Sequence, residues 1–564
     1  MGSLVDAASV PHPGKKMSGM TRRDFLRTIA AGSAAVALPV SFAGSVSKAA
    51  AAPLGQTVDI TLITTTDLPY AHIPTTEEQD ADPSMKAYAE AIQPWLDQNP
   101  GVKLEEISFD VYDQETLLVA LSGGTAPSFF PADVLATWDE EKVLAAERSG
   151  LAADVTAQVK QYGLEEKLAD YCLAVWKTKE MDGKHYALPY SYNCGDGIHY
   201  RIDQLQELGI PEPKQGWTWV DLRDMAKKLT NADRQGIGLP DWGFSLIWDA
   251  EGWEFLPKIP APQNDWNWKW DYTSNIDNWV KYVTFGREMM YEDKSILGSV
   301  DLQDDQITSQ FLDGTISMMN NNVVYHCDPP TAEDSFSAIA DQMGKPVQEV
   351  FGYIAHPIGT TGYNQTSFGQ LDTMGFNPDL GAIALDKATS LHVYMMGPGM
   401  VMEKKAAYEA SNHDLRFVWD GGILLPLYKA SELEGIPGSP EEAWGDGFMA
   451  NVRAQAAIPL RPLPHWFVPP QSNSGPPDTA IEDMRSKWFY EGGDQDIKAD
   501  LQKLEKTMND QAATFKSDIP DDQFIAGTKK YYDALGAYFQ KNAPDFYANV
   551  YKPWYDKLVA PTLP

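Results

Sequence analysis

The sequence predicts an α/β chain built from two layered units, and three observations predict it. Strand-like and helix-like segments alternate between Val58 and Gly150, then again from Met181 onward. A chain of 564 residues is too long for one compact core. In such layers the loops at the carboxyl ends of the strands face a common crevice, and polar and aromatic residues stand at those ends.

The segments follow in order. Thr21-Arg22-Arg23-Asp24-Phe25-Leu26-Arg27 precedes an Ala/Gly-rich run from Ile29 to Val46, and small residues follow from Lys48 to Pro53. Basic region, apolar region and small-residue site make a secretory signal over 1–51, with cleavage expected after Ala51. The paired arginines before Phe-Leu resemble a twin-arginine export signal, which carries folded proteins. A membrane anchor is the alternative, but the run is short and rich in small residues. No cysteine follows the small residues, so no lipid anchor is expected.

Val58–Ile63 alternates as a strand, with Thr64 to Asp67 at its carboxyl end. A helix from Ser84 turns Met85, Tyr88, Ile92 and Trp95 inward, and Asn99-Pro100-Gly101 leads into a strand over Val102–Phe109. The helix over Gln114–Leu121 stops at Gly123-Gly124. Asp133–Ala136 reads as a strand and Thr137-Trp138-Asp139 opens the next helix, so Asp67 and Trp138 face one crevice. In Met181–Thr230, a turn at Asp182-Gly183 precedes the strands HYALPY and GIHYRI. A helix ending at Gly209 follows, then one capped by Thr218 with Asp221. Ile276–Tyr291 is a helix with Ile276, Trp279, Val280 and Val283 on one face, and Thr315–Met319 is a strand running into Asn320-Asn321-Asn322. Tyr363–Phe376 reads as loop, Met396–Met400 as the approach to a short strand, Pro459–Pro477 as a proline-rich loop, and Asp494–Leu558 as a helical tail.

Composition narrows the partners. The formal charge of −34 argues against nucleic acid or an anionic membrane surface. Seventeen tryptophans and 25 tyrosines fill cores, and they also suit carbohydrate, whose C–H faces pack on aromatic rings. The three cysteines, Cys172, Cys194 and Cys327, form no CxxC pair, which excludes a disulfide framework or zinc ribbon; one bridge or three buried thiols both remain open. No HExxH, GxSxG, phosphate loop or complete GxGxxG is present, so no cofactor is expected; paired carboxylates for glycoside hydrolysis stay open, because such partners meet only in three dimensions. Asp494, Asp496, Asp500 and Glu505 have EF-hand-like spacing. Lys498 occupies a ligand position and Ala499 stands where glycine is needed, so a solvated helix face is expected instead.

The order of parts in the Met181 stretch carries a family resemblance. "DGK-x-YALP", then "YR-x-DQLQELGIPEP", then "W-T-W-x-DL…AKKLT" resembles the extracellular solute-binding proteins of ABC importers, in the sugar-binding branch that includes maltose-binding protein. The resemblance runs from about Thr57 to the C-terminal part. It implies a two-lobed periplasmic-binding-protein fold, each lobe a mainly parallel sheet flanked by helices, with the ligand in the cleft between lobes. The expected division is 52–190 with 395–455 for the N-terminal lobe, and 191–394 with 456–564 for the C-terminal lobe. It also implies hinge closure on ligand and a closed form read by membrane permease subunits.

Carried over residue by residue, the resemblance and the strand-end rule nominate ten ligand residues. Asp67 suits sugar hydroxyls or a helix N-cap, and Trp138 matches the family's Trp-Asp/His segment over the sugar. Tyr190, Tyr192, Asn193 and Asp196 lie where the family chain crosses between lobes, with an ordinary polar loop as the alternative. Trp253 resembles the aromatic that stacks from the second lobe. Asn321 and Tyr325 follow the Asn-containing strand, although Val323-Val324 precedes Tyr325 where maltose-binding protein has a tryptophan. Trp466 resembles the late cleft aromatic; Gly397 and Gly399 suit close backbone approach or a plain turn. The expectation is a monomer outside the cytoplasmic membrane, exported by the twin-arginine machinery, that binds a sugar or oligosaccharide without catalysis. A secreted carbohydrate-active enzyme, or a same-fold binder of a polyol or peptide, is the alternative.

Overall fold

The computed structural model describes residues 59–65, 73–136, 147–178, 183–193, 196–239, 276–296, 304–330, 335–359, 370–456, 496–514 and 521–560, with 273, 362 and 487–489. Asp67, Trp138, Trp253, Trp466 and the 1–51 signal lie outside the described residues.

The first layer starts with β1 (Ile60–Thr65) and β2 (Val102–Ile107), which pair in parallel across α1 (Pro83–Gln98). Asp82 caps α1 through the Ser84 amide, and the helix buries Tyr88, Ile92 and Trp95; Met85, in its first turn, stays 40% exposed. α2 (Gln114–Gly123) stops at Gly124 in the left-handed conformation, as its paired glycines predict. Ser128 ties β1 to β3 (Phe129–Pro131): its amide donates to Ile63 O at 2.8 Å and its Oγ accepts from Ile63 N at 2.9 Å. Asp133–Ala136, expected as a strand, lies in the 3₁₀ turn Ala132–Ala136, and Asp133 Oδ2 accepts the Thr373 amide at 3.1 Å. α3 (Asp170–Thr178) packs beneath β4 (Ala187–Asn193), with Trp176 Nε1 donating to Ala187 O at 3.3 Å.

The second layer centres on β5 (Asp196–Arg201), flanked antiparallel by β6 (Met318–Asn322) and β7 (Phe351–Ile354). α4 (Ile202–Leu208) ends at Gly209, and α5 (Trp219–Leu229) carries the expected capping box between Thr218 and Asp221. Gln235, Ile237 and Gly238 extend this sheet through parallel bridges to Ile316, Ile296 and Met319. α6 (Ile276–Arg287) buries Trp279 and Val283 but leaves Val280 42% exposed. α7 (Asp304–Asp313) leads into β6. α8 (Phe336–Gln342) precedes β7.

The stretch expected as loop contains β8 (Gln370–Phe376), the middle strand of the order β3-β8-β4 and antiparallel to both neighbours. Pairing is therefore parallel at β1–β2 and at the bridges, and antiparallel around β5 and β8. Both of those strands lie just after a passage from one sheet to the other, where a returning chain needs no crossover helix. β8 falls within the 191–394 stretch expected of the second lobe, yet its partners belong to the first sheet.

After β8, α9 (Ala382–Tyr394) runs through a wide turn at Met395–Gly399 into α10 (Met400–Ala410), so the Met396–Met400 segment is helical and among the described residues no strand follows it. α11 (Asp446–Ala456), expected in the first lobe, bonds to the second sheet through Asn451 Nδ2 and Tyr353 O at 2.7 Å. The helical tail comprises α12 (Ile497–Thr514) and α13 (Asp521–Asn542), followed by a continuous helical stretch over Pro544–Val559.

Apolar packing follows the strand alternation. Leu62, Trp95, Phe129, Leu188 and Met374 form a core that continues under the second sheet through Phe311, Met319 and Tyr353. Ile198, Tyr200, Trp219, Met318 and Trp279 make a separate core on the other face of the second sheet. Among the described residues no helix is long and apolar enough to cross a membrane.

Candidate ligand-binding site

The site grows out of β4. Its register against β8 slips between Pro189 and Ser191, so Tyr190 is an inserted bulge residue. A bulge bends the strand and re-aims the side chain there, and Tyr190 is only partly buried. The Pro189 carbonyl at the bulge accepts His392 Nε2–H from α9 at 2.9 Å. His392 is buried, and burial pushes its imidazole down to about 4, so it stays neutral and can donate that single proton.

Three residues after Tyr190, β4 ends at Asn193, paired with Gln370, the first residue of β8. Only Cys194 and Gly195 separate Asn193 from Asp196, which pairs with Asn322 at the end of β6 in the other sheet. Asn193 and Asp196 are three residues apart, so their Cα atoms lie within about 11 Å. The chain leaves the first sheet here and returns between Ile354 and Gln370, so the two passages meet at strand ends. Asn193, Asp196, Asn322 and Gln370 thus have their backbones together where the two sheets meet.

Glycines pin the strands beside this junction. A Cβ on Gly352 would lie 2.1 Å from the Tyr200 ring, one on Gly197 2.4 Å from the Tyr353 ring, and one on Gly375 2.5 Å from the Phe130 ring. Each is an aromatic side chain laid across a glycine on a neighbouring strand, which fixes register and covers backbone.

Some nominated residues serve the scaffold instead. Tyr192 is 2% exposed and packs on Tyr171 with ring centroids 4.7 Å apart, so its ring is core. Asn321 is buried: its Nδ2 donates to Thr308 Oγ1 at 2.9 Å and its Oδ1 accepts the Asn322 amide at 2.7 Å. Its carbonyl accepts from His199 Nε2 at 3.2 Å. Both ends of the amide are occupied by this local network. Tyr325 lies in the 3₁₀ turn Val323–Cys327, and its side chain is outside the described residues, as are those of Asn193 and Asp196. Cys172 and Cys327 are free buried thiols.

A polar relay beside Asn321 leaves no local mark in the sequence. Gln455 Oε1 accepts the His356 amide at 3.1 Å, and Gln455 Nε2 approaches His356 Nδ1 at 3.4 Å. That leaves His356 Nε2 as donor to Asn320 Oδ1 at 2.6 Å. The relay joins β6, the start of the return passage and the end of α11. Its members are 36 and 99 residues apart, beyond any local pattern. Elsewhere, a cavity of about 650 Å³ is lined by Asp341, Lys345, His413, Arg416 and Glu442, none of them at the junction. Arg416 is held there between Asp414 and Asp341. The acidic residues with EF-hand spacing serve helix α12: Asp500 pairs with Lys487 and Trp488 Nε1, and Glu505 accepts from Thr273.

Comparison with known proteins matches these features to a family. The family described as bacterial extracellular solute-binding protein matches residues 75–377, more than half of the chain. An uncharacterized lipoprotein in the oleD 5′ region of Streptomyces antibioticus is 31% identical over 167 residues; the match covers 28% of this chain and 33% of that one. The chain thus spans about a third of that relative's length. Among solved structures, an ABC substrate-binding protein from Listeria monocytogenes in complex with cycloalternan aligns with a TM-score of 0.53 at 17% identity. That alignment covers 82% of this chain and all of the other. A maltose-bound T. maritima protein aligns at 0.51 and 16%, covering 80% of this chain and 99% of the other. These likenesses show the fold, the expected two-lobed α/β architecture. The chain belongs to the bacterial extracellular solute-binding protein family.

Proposed function

We propose that this chain is the extracytoplasmic substrate-binding component of an ABC importer. It captures a sugar or oligosaccharide between its lobes, closes by hinge motion, and presents the closed form to membrane permease subunits. The observation that carries this is the junction at Asn193–Asp196 and Ile354–Gln370, where two sheets meet by adjacent chain passages. Sugar as ligand is supported by the cycloalternan and maltose bound to the two similar folds and by the abundance of tryptophan and tyrosine. We assign the first lobe to 59–193 and 370–436, because β8 pairs with β3 and β4, and the second to 196–359 and 440–456, because α11 bonds to β7.

Tyr190, Asn193 and Asp196 are the ligand residues supported by their position at the junction, and Gln370 joins them. Asp67, Trp138, Trp253, Tyr325 and Trp466 are proposed on the family pattern. Hydroxyls pair with the polar groups while ring faces stack on the aromatics. No turnover is proposed, and the working form is a monomer. Thermal unfolding of the mature chain against oligosaccharides, polyols and peptides, with product analysis, tests this. A saccharide at 100 times its Kd adds about 2.7 kcal/mol of stability and raises Tm. A panel in which no saccharide shifts Tm rejects the sugar assignment, and released product rejects pure binding.

Export is proposed to use the Arg22-Arg23 signal. Exchanging both arginines for lysine is expected to leave the protein in the cytoplasm, as judged by fractionation of the host. Unchanged export by the double variant would assign the protein to the general secretory route.

A further inference from the structure

We infer that His392 is a positioning residue for the ligand site: its hydrogen bond to the Pro189 carbonyl fixes the β4 bulge at Tyr190 and so aims that ring at the junction. The inference rests on the assignment of Tyr190 as a ligand residue above. Leu188 pairs with Met374 and Tyr192 with Leu371, and all four side chains are buried. Between those two pairs β4 has three residues, 189–191, and β8 has only two, 372 and 373. One residue of β4 must therefore stand out of register.

Packing anchors both ends of this interval. Leu188 and Met374 lie in the core with Phe129, and Tyr192 packs on Tyr171, whose hydroxyl donates to the Pro426 carbonyl. These anchors set the number of extra residues but not which of the three is extra. Side chains alternate between faces along a strand, so moving the extra position by one residue turns Tyr190 to the opposite face.

Buried polar groups make that choice. Pro189 has no N–H, and its carbonyl accepts His392 Nε2–H from α9 at 2.9 Å. On the far side of β8, β3 stops at Pro131, opposite Met374, and the next residue of β8, Thr373, donates its amide to Asp133 Oδ2 at 3.1 Å. His392 is 1% exposed and Asp133 3%. The Pro189–Thr373 pair is thus held from both flanks, and the first residue able to leave the register is Tyr190. The His392 ring is set in turn by Phe376, edge to face with centroids 6.0 Å apart. Without its donor the Pro189 carbonyl must turn toward another partner, because a buried acceptor left unpaired is costly. Turning it frees the bulge to move along 189–191.

Fluorine NMR reads Tyr190 directly, without any ligand. 3-Fluorotyrosine is placed at position 190 alone in the mature chain, in the parent, His392→Gln, His392→Phe and Asp133→Ala. Glutamine keeps a donor for Pro189 O; phenylalanine keeps the ring against Phe376 and loses the donor. A second preparation of each, labelled at Tyr291, which is 48% exposed and donates to Phe489 O, reports that the protein is folded. The Tyr190 line is expected to stay in place with glutamine and to shift, split or broaden with phenylalanine, while the Tyr291 line holds. A Tyr190 line in the phenylalanine variant that matches the parent overturns the inference, as does a glutamine variant displaced as far. Asp133→Ala frees the Thr373 amide and is expected to displace the Tyr190 line too; it carries the test where the phenylalanine variant does not fold, and an unmoved line there overturns the inference equally. With a saccharide from the panel, a bulge that presents Tyr190 about a tenth of the time raises Kd about tenfold, and glutamine restores it. A panel without any binding saccharide rejects the sugar assignment and leaves the fluorine result to decide on His392.

Discussion

Lowering the pH from about 6.5 to about 4 is expected to remove up to roughly 6 kcal/mol of folding stability through His199 and His392 alone. Burial pushes both imidazoles down to about 4, and hydrogen bonds to main-chain carbonyls offset only part of that. An unfolded histidine titrates near 6.5. Between those two values the unfolded chain binds more protons than the folded one, so stability is complete above about 6.5 and declines as the pH falls toward 4. Each residue contributes at most about 3 kcal/mol, against the 5–15 kcal/mol that holds a typical domain together. His326 adds in the same direction: it is buried, stacked 5.7 Å from His199, and driven well below the ordinary histidine value by burial and by that neighbour. Asp203 and Asp293, which ion pairs and hydrogen bonds hold below the usual carboxylate value, lose their contributions only at lower pH, so the two windows separate. Urea unfolding at a series of pH values should show the steepest loss between 6.5 and 4. His392→Gln, which keeps a donor for Pro189 O, should flatten that slope by about one proton; a parent profile level down to pH 4.5 would sink the argument.

How much of this was legible before the structure depends on how local each signal is. The caps at Gly124 and Gly209 and the Thr218–Asp221 box are short-range, and each falls at its expected residue. The two strands flanking Cys194-Gly195 were legible in place, but β4 runs on past Pro189 and Tyr190 to Asn193, where a loop was expected, because the bulge at Tyr190 lets pairing with β8 resume. β8 was not. Asp372 and Gly375 break its apolar run, and Gly375 is there because Phe130 lies across it, a partner some 245 residues away. Tyr192 and Asn321 show the converse problem in the candidate site. Polar residues near a strand end match a cleft pattern, but only three-dimensional contacts show that one packs on Tyr171 and the other holds Thr308. The Asn320–His356–Gln455 relay joins three passages of chain and leaves no mark on any of them singly.

The Met181–Thr230 signature that carries the family resemblance is mostly scaffold, and one glycine beyond its end shows how tightly that scaffold is built. Replacing Gly236 by alanine is expected to cost about 3 kcal/mol or more, at the upper end of overpacking effects. The added Cβ would stand 2.0 Å from the carbonyl oxygen of Ala226, 2.6 Å from its carbonyl carbon and 2.8 Å from its Cα. All three are backbone atoms, so no side-chain rotation relieves the contact. Helix α5 cannot simply back away. Trp219, Leu222, Ala226 and Leu229 hold it in the second core, and Thr230 Oγ1 both donates to Ala226 O at 2.8 Å and accepts the Gly236 amide at 3.1 Å. Relief by moving the strand would strain the neighbouring bridges at Gln235 and Ile237. Gly238→Ala is the control: its Cβ would meet Ile307 Cγ2 and Ile316 Cδ1 at 2.9 Å, side-chain ends that can turn aside, so about 1 kcal/mol is expected. Chemical denaturation of both variants separates steric conflict with backbone from ordinary crowding. Equal losses at the two glycines would mean that α5 yields more easily than its caps and core contacts imply. A large loss at Gly236 alone would show that the fit of α5 to its strand is rigid enough to hold the β5 side of the junction in place.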